Sequence, residues 1–150
     1  MEESTLQTVT LCDLGVADYD EIMALWQRAG LRIRPEGRDA PQAFARQMAS
    51  GLQRVVGLRA NGILVAVVVL THDGRKGWIN RLAVDPAYRR RGLAKQLIAE
   101  AERWFAQELG LEVWAALIEP HNHNSLALFA ALGYARYELV YVSKRLRPQA

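Results

Sequence analysis

Three consecutive arginines, Arg89-Arg90-Arg91, run directly into Gly92 and then into the apolar helical pattern of Leu93 and Leu97. Like charges crowded this closely repel one another unless a negative partner relieves them. Gly92 falls at the join between a strand and a helix, where the first N–H groups of the helix have no partner within it. Those N–H groups and the positive end of the helix dipole favour an anion. A residue without a side chain lets phosphate oxygens approach the backbone, and Ala94 keeps the next turn small. Arginine adds charge-assisted, bidentate hydrogen bonds to phosphate. The three features together point to a phosphate-bearing ligand seated on this helix. Taken alone, an arginine run also fits a solvated surface or a nucleic-acid patch. Neither common nucleotide fingerprint, Gly-x-x-x-x-Gly-Lys-Ser/Thr or Gly-x-Gly-x-x-Gly, is present in the run.

Such a site needs a strand ending near Val84 and a helix beginning near Gly92, and the surrounding sequence supplies both. Val9 to Leu14 reads as a first strand. Asp18 is placed to cap a helix whose stripe is Tyr19, Ile22, Met23, Leu25 and Trp26, with Gly30 as its stop. A basic loop from Leu31 to Pro41 leads to a weaker helix over Pro41 to Ser50. Val55–Leu58 and Ile63–Leu70 flank Asn61-Gly62, a strong hairpin signal, and Asp73-Gly74 turns the chain into a further strand, Trp78 to Val84. From Arg91 to Leu109 the period becomes helical, with Leu93, Leu97, Ile98, Ala101, Trp104, Phe105 and Leu109 on one face and Gly110 as the cap. Glu112 to Ile118 reads as a buried strand. Ser125, Leu128, Phe129 and Leu132 mark a last helix ending at Gly133, and two short strands, Tyr134–Tyr137 and Val140–Arg145, close the chain. A meander followed by a strand–helix–strand crossover predicts an α/β (α+β) domain with a mixed, mostly antiparallel sheet flanked by helices.

With 51% hydrophobic and 23% charged residues over 150 positions, the composition suits one globular domain, residues 1–150, with one sizeable core. No linker, low-complexity tract or repeat divides it. The acidic, polar Met1–Gln7 is unlike a secretory leader. The longest apolar run, Ile63–Leu70, is far short of the ~20 residues that cross a bilayer. A single cysteine, Cys12, excludes an internal disulfide and a cysteine zinc cluster. These features predict a soluble, cytoplasmic protein without membrane association. A net charge of +3 fits an anionic ligand held at one place better than a surface that coats nucleic acid.

The run Leu82-Ala83-Val84-Asp85-Pro86-Ala87-Tyr88-Arg89-Arg90-Arg91-Gly92-Leu93-Ala94 resembles the acetyl-CoA-binding motif of the GNAT superfamily of N-acetyltransferases. That motif has the form Arg/Gln-x-x-Gly-x-Gly/Ala, and Arg89, Gly92 and Ala94 match its three fixed positions. Asn122-His123-Asn124-Ser125-Leu126-Ala127-Leu128-Phe129, continuing to Gly133-Tyr134, resembles the family's second motif, in the expected order and separation.

The resemblance implies a sheet whose fourth and fifth strands splay apart around the pantetheine arm of acetyl-CoA. Backbone groups of Leu82, Ala83 and Val84 would bond that arm. The amides of Arg90, Arg91, Gly92, Leu93, Ala94 and Lys95 would hold the pyrophosphate, with Arg89 beside them. Asn122 would meet the pantetheine amide, and Ser125 and Phe129 would line the arm's other side. Both residues have structural alternatives: Asn122 as a helix cap and Phe129 as core. The implied reaction is direct acetyl transfer to a primary amine of a small molecule or protein, with coenzyme A as the other product. Family members are often dimers, and no sequence feature decides between monomer and homodimer.

Such chemistry requires the acceptor ammonium to lose a proton and the thiolate to be protonated or stabilised. At pH 7 that deprotonation costs ~4–5 kcal/mol for a lysine-like amine and ~1 kcal/mol for an α-amine. Here the chain departs from the family. Asn80 stands about where many members carry a glutamate base, and Phe129 where many carry a tyrosine acid. Glu119, at the end of the fifth strand, is the candidate base, directly or through water. His121 and His123 carry imidazoles, a side-chain type suited to proton transfer, and Tyr134, Tyr137 and Tyr141 offer hydroxyls. No metal-site spacing occurs. Arg32, Arg34 and Arg38 lie in the loop where an acceptor would enter, and Arg32 and Arg34 are candidates to grip a substrate carboxylate. Two other classes are carried beside the enzyme: an acyl-CoA-binding module without turnover, and a small nucleic-acid-binding domain.

Overall fold

The computed structural model describes residues 8–150; the acidic segment of residues 1–7 lies outside it. The chain runs β1 (Val9–Leu14), α1 (Tyr19–Arg28), α2 (Pro41–Ala49), β2 (Gln53–Ala60), β3 (Ile63–His72), β4 (Gly77–Val84), α3 (Leu93–Arg103), β5 (Trp114–Ala116) and α4 (His123–Ala131). The strands form one sheet in the order β1-β2-β3-β4-β5. The first four are an antiparallel meander, and β5 joins β4 in parallel after the α3 crossover. The sheet is therefore mixed, as the element order predicts.

Asn61 and Gly62 both adopt positive φ, 51° and 79°, the conformation a tight hairpin turn demands, and they set the β2–β3 register. Ile22, Leu25 and Trp26 of α1 and Phe44 of α2 cover one face of the sheet against Val55, Leu64, Val67 and Val69. Leu93, Leu97, Ile98 and Ala101 of α3, with Phe105 and Phe129, cover the other against Val56, Leu58, Val68, Leu70 and Ile79. Pro41 opens α2 at a position where its missing N–H costs nothing. α3 ends in a wider π turn, Trp104–Glu108, that carries Phe105 over the start of β4. A Cβ on Gly77 would lie 2.6 Å from the Phe105 ring, so this approach requires glycine.

Ion pairs tie the elements together. Arg59 of β2 reaches Glu21 and Asp18 at 2.8 and 3.1 Å, fixing the start of α1 to the sheet. Arg54 bridges Asp13 and Glu100, and Arg103 shares Glu100, which anchors α3. Asp18 precedes α1 as expected but does not cap it; its carboxylate accepts from the Gly15 N–H at 2.8 Å and is otherwise engaged by Arg59.

The C-terminal stretch differs from expectation. No strand follows α4 among the described residues, so Tyr134–Tyr137 and Val140–Arg145 are not strands, and β5 spans three residues rather than Glu112 to Ile118. Tyrosine and valine favour strands, but a strand also needs a ladder partner, and β5 offers only a short edge. Tyr137, Leu139, Val140, Tyr141 and Val142 are exposed, and the chain returns to the α1–α2 loop, where Arg147 donates to the Glu36 carbonyl. Among the described residues no helix is long and apolar enough to cross a membrane.

Candidate active site

The β4–β5 ladder is short. Gly77, Trp78 and Ile79 pair with Trp114, Ala115 and Ala116, and there it stops. β4 continues through Asn80 to Val84, paired on its other side with β3. Leu82, Ala83 and Val84 therefore present a free backbone edge to the gap that opens beyond Ala116. An extended ligand can pair with such an edge as a strand would.

That edge leads straight to the arginines. Asp85 accepts from the Ala87 N–H and pairs with Arg28 at 3.0 Å, pinning the exit of β4 to the end of α1. Arg90 has φ +63° and Gly92 φ +76°, with Arg91 between them outside the left-handed region. Alternation of hand turns successive N–H groups toward a common centre, a concavity that binds anions. The first helical bond of α3 runs from Gln96 N–H to Gly92 O, leaving the N–H groups of Leu93, Ala94 and Lys95 without partners in the helix. A Cβ on Gly92 would meet no atom within 4 Å, so the space in front of the backbone is open. A cavity of about 330 Å³ continues along α3 past Gly92, Lys95, Ala99 and Glu102. Arg91 stacks on Tyr88, 4.8 Å from the ring centroid, and Arg89 reaches the Ala29 carbonyl at 3.4 Å. The residues present fit a pyrophosphate at the helix start and an extended amide-bearing arm along β4.

Asn122 caps α4, its Oδ1 accepting from Ser125 N–H at 3.2 Å, while its amide hydrogens remain free to donate. Ser125 is half-buried, and Phe129 is buried edge-on against Tyr134, with ring centroids 4.9 Å apart. Glu119 is exposed in the loop between β5 and α4, where its carbonyl accepts from Asn122 N–H. His121 and His123 are exposed in the same stretch. The Tyr134 hydroxyl donates to Glu102 at 2.7 Å and accepts from Trp114 at 3.0 Å. Burial and the Glu102 carboxylate raise its pKa well above the ordinary tyrosine value, which commits that proton to Glu102. Tyr137 and Tyr141 are exposed.

On the opposite face a cavity of about 340 Å³ lies between α1, α2 and β4. Its formation depends on a bulge. Val67 pairs with Ala83 and Val69 with Asn80, so Arg81 and Leu82 together stand opposite Val68. Arg81 takes φ +51° at this irregularity. In a regular strand Asn80 and Arg81 would point to opposite faces; here both line the cavity. The Asn80 amide nitrogen donates to Thr71 Oγ1 at 3.0 Å and to Trp78 O at 3.3 Å, leaving its carbonyl oxygen as a spare acceptor. Arg81 lies over Trp26, 4.2 Å from the ring centroid, and donates to the Arg32 carbonyl at 2.9 Å. Its pKa is lowered by burial; Asp39, 3.6 Å away, opposes that shift and Arg38 adds to it. Arg32 and Arg34 do not line this cavity, whereas Arg38 does. Arg81, Asp39 and Trp26 are residues that sequence reasoning missed. The adjacent polar pair Asn80-Arg81 inside an otherwise apolar strand was the available signal for the bulge. Among the described residues no group of three or more His, Cys, Asp or Glu side chains is arranged to hold a metal ion.

The sheet, its gap and the anion-binding turn define an acyltransferase-like architecture, and the comparisons agree. The sequence profile of the Acetyltransferase (GNAT) family matches residues 19–134. The chain belongs to that family. A Yersinia pestis (strain Pestoides F) protein named acetyltransferase is 26% identical over 129 residues, covering 86% of this chain and 89% of its own length. Among solved structures, the aminoglycoside N-acetyltransferase AAC(6')-Iy in complex with CoA superposes with a TM-score of 0.74 at 18% identity, over 97% of this chain and 100% of its own. A ribosomal-protein-alanine N-acetyltransferase from Brucella melitensis biovar Abortus 2308 has a TM-score of 0.72 at 18% identity, over 92% of this chain and 100% of its own.

Proposed function

We propose that residues 1–150 form one acetyl-CoA-dependent N-acetyltransferase domain that passes the acetyl group directly to a primary amine. The observation that carries this reading is the continuity of the unpaired β4 edge, Asn80 to Val84, with the alternating-hand turn at Arg90 to Gly92. Acetyl-CoA supplies the activated acetyl thioester; the chain supplies position and proton handling. Leu82, Ala83 and Val84 orient the arm through their backbone. The amides from Arg90 to Lys95 neutralise the pyrophosphate, with arginine charge from Arg89 and Arg91. Asn122, Ser125 and Phe129 form the facing wall. Glu119 takes the acceptor's proton through water, a role open to an exposed carboxylate in the loop that follows β5. Related folds named for an aminoglycoside and for a ribosomal protein support acceptors of either size, small molecule or protein amine.

A second reading, an acyl-CoA-binding module without turnover, is favoured by Asn80, whose amide is tied to Thr71, and by Phe129, which has no proton to give. Thermal unfolding with and without acetyl-CoA, with ATP and polyanion controls, tests the shared premise. A ligand at ~100 times its dissociation constant stabilises the fold by ~2.7 kcal/mol, a shift of a few degrees. A shift specific to acetyl-CoA is expected, and no shift, or an equal one with any polyanion, overturns both readings. Thiol release with a panel of amines then separates enzyme from module.

A further inference from the structure

The cavity between α1, α2 and β4 has an unbalanced charge. Arg38 and Arg81 line it against a single carboxylate, Asp39. That carboxylate is already engaged: its Oδ2 accepts from the Arg34 backbone N–H at 2.7 Å and stands 3.6 Å from Arg81, outside good hydrogen-bond distance. The Arg81 Nε and the Trp26 Nε1 are both buried without any acceptor. Arg34, outside the lining of this cavity, also has a buried, unpartnered Nε. Arginines gathered this way are relieved by an anion from outside the chain.

The remaining walls say what accompanies the anion. Trp26, Phe44 and Val69 are apolar, and the free carbonyl oxygen of Asn80 can accept from an amine. Arg81 adjoins Leu82, where the free β4 edge begins to face the gap, so a group held by Arg81 lies close to any acyl donor placed along that edge. Building on the acetyltransferase reading above, we propose that the acceptor is a small amine carrying a carboxylate a few bonds from its nitrogen, with Arg81 and Arg38 holding the carboxylate and Asn80 orienting the amine. A polycation finds two like charges in this cavity. A neutral amine leaves the guanidinium fork unmatched. An apolar α-amino acid satisfies charge, fork and walls together.

The test uses the full chain saturated with coenzyme A for binding, read by isothermal titration, and with acetyl-CoA for turnover, read by thiol release. Phenylalanine, phenylalanine amide, phenethylamine, 2-aminoethyl phosphate and an aminoglycoside are the probes. Phenylalanine is expected to exceed the others by at least about tenfold in affinity and in kcat/KM. In Arg81→Gln and in Arg38→Gln that preference falls toward unity, while the acetyl-CoA thermal shift persists. Arg38 is exposed, so its substitution does not endanger the fold, and Arg81→Lys, which keeps charge but loses the fork, is expected to retain only part of the preference. Equal or better binding of the amide, the neutral amine, the phosphate or the aminoglycoside overturns the proposal, as does a preference unchanged in both glutamine variants. Failure of the acetyltransferase reading has another signature: no acetyl-CoA shift, or no thiol release with any amine, in a protein whose carboxylate preference is still decided by titration.

Discussion

The two binding regions of this molecule are built in opposite ways. The anion-binding turn is a contiguous stretch, Asp85 to Lys95, whose useful groups are backbone N–H donors and open space. The proposed acceptor cavity draws side chains from α1, the following loop, α2, β2, β3 and β4, and its positive charge lies in the guanidinium groups of exposed Arg38 and of Arg81, whose Nε is buried. A backbone site depends on a few dihedral angles and tolerates most changes of side chain around it. A side-chain site depends on every element arriving in register. The first suits a cofactor common to a family, and the second an acceptor that differs between members.

The sharpest way to break this contrast is Gly92→Trp. The new side chain projects into open space, so its cost to the fold is limited to the local strain of a side chain at φ +76°, but it fills the region in front of the α3 amides. We expect acetyl-CoA affinity to fall by more than about 100-fold, seen as loss of the ~2.7 kcal/mol ligand stabilisation. Unchanged affinity in a folded variant removes the backbone-site explanation. Trp26→Ala strikes the other region, where wall and core are the same residue. Burial of the indole predicts a loss of about 3–5 kcal/mol in urea unfolding, together with loss of the acceptor preference. A loss below about 1 kcal/mol separates cavity from core.

Glu119→Gln tests the proposed base, which belongs to neither region's lining. With Glu119 as the base, kcat falls about 100-fold; an unaltered kcat removes it from the chemistry. The smallest effect belongs to a purely structural charge. Hydrogen bonds from Arg103 and then Arg54 hold Glu100 below the ordinary glutamate value of 4.5, with burial opposing them. Its contribution is complete above that value and is lost as pH falls through the lower folded one. Glu100→Gln should therefore cost about 1 kcal/mol or less near neutrality and give a shallower decline in Tm between about pH 5 and pH 3. An equally steep decline assigns the acid sensitivity to other carboxylates.

Local signals and long-range ones differed in legibility along the same division. The Asn61-Gly62 hairpin, the apolar stripe of α1, the α3 stripe and the arginine–glycine turn were all readable, because each is fixed by residues adjacent in sequence. The gap between β4 and β5 came from the family resemblance, and the short β4–β5 ladder agrees with it. The bulge at Arg81 was missed: the polar pair Asn80-Arg81 marks an irregularity, but the mismatch itself is one of register between two strands. The expected strands at Tyr134–Tyr137 and Val140–Arg145 failed for a related reason: their tyrosines and valines favour strands, but no ladder partner meets them. Asp18 has cap chemistry, yet Arg59, distant in sequence, recruits its carboxylate.

The crossover between β4 and β5 also gives folding a chronology. The β2–β3 and β3–β4 pairings close across short turns, so little chain entropy is lost before they form. Docking β5 must wait until the whole of α3 and its π turn has been laid across the sheet, and it gains only three paired residues in return. On the proposed function, the gap for the acyl donor is thus bounded by a pairing that, like β1–β2, closes only across a long connection and that forms the shortest ladder of the sheet. On the proposed placement, a ligand bridging β4 to α4 would staple that seam from inside, making the donor a structural strut as well as a reactant.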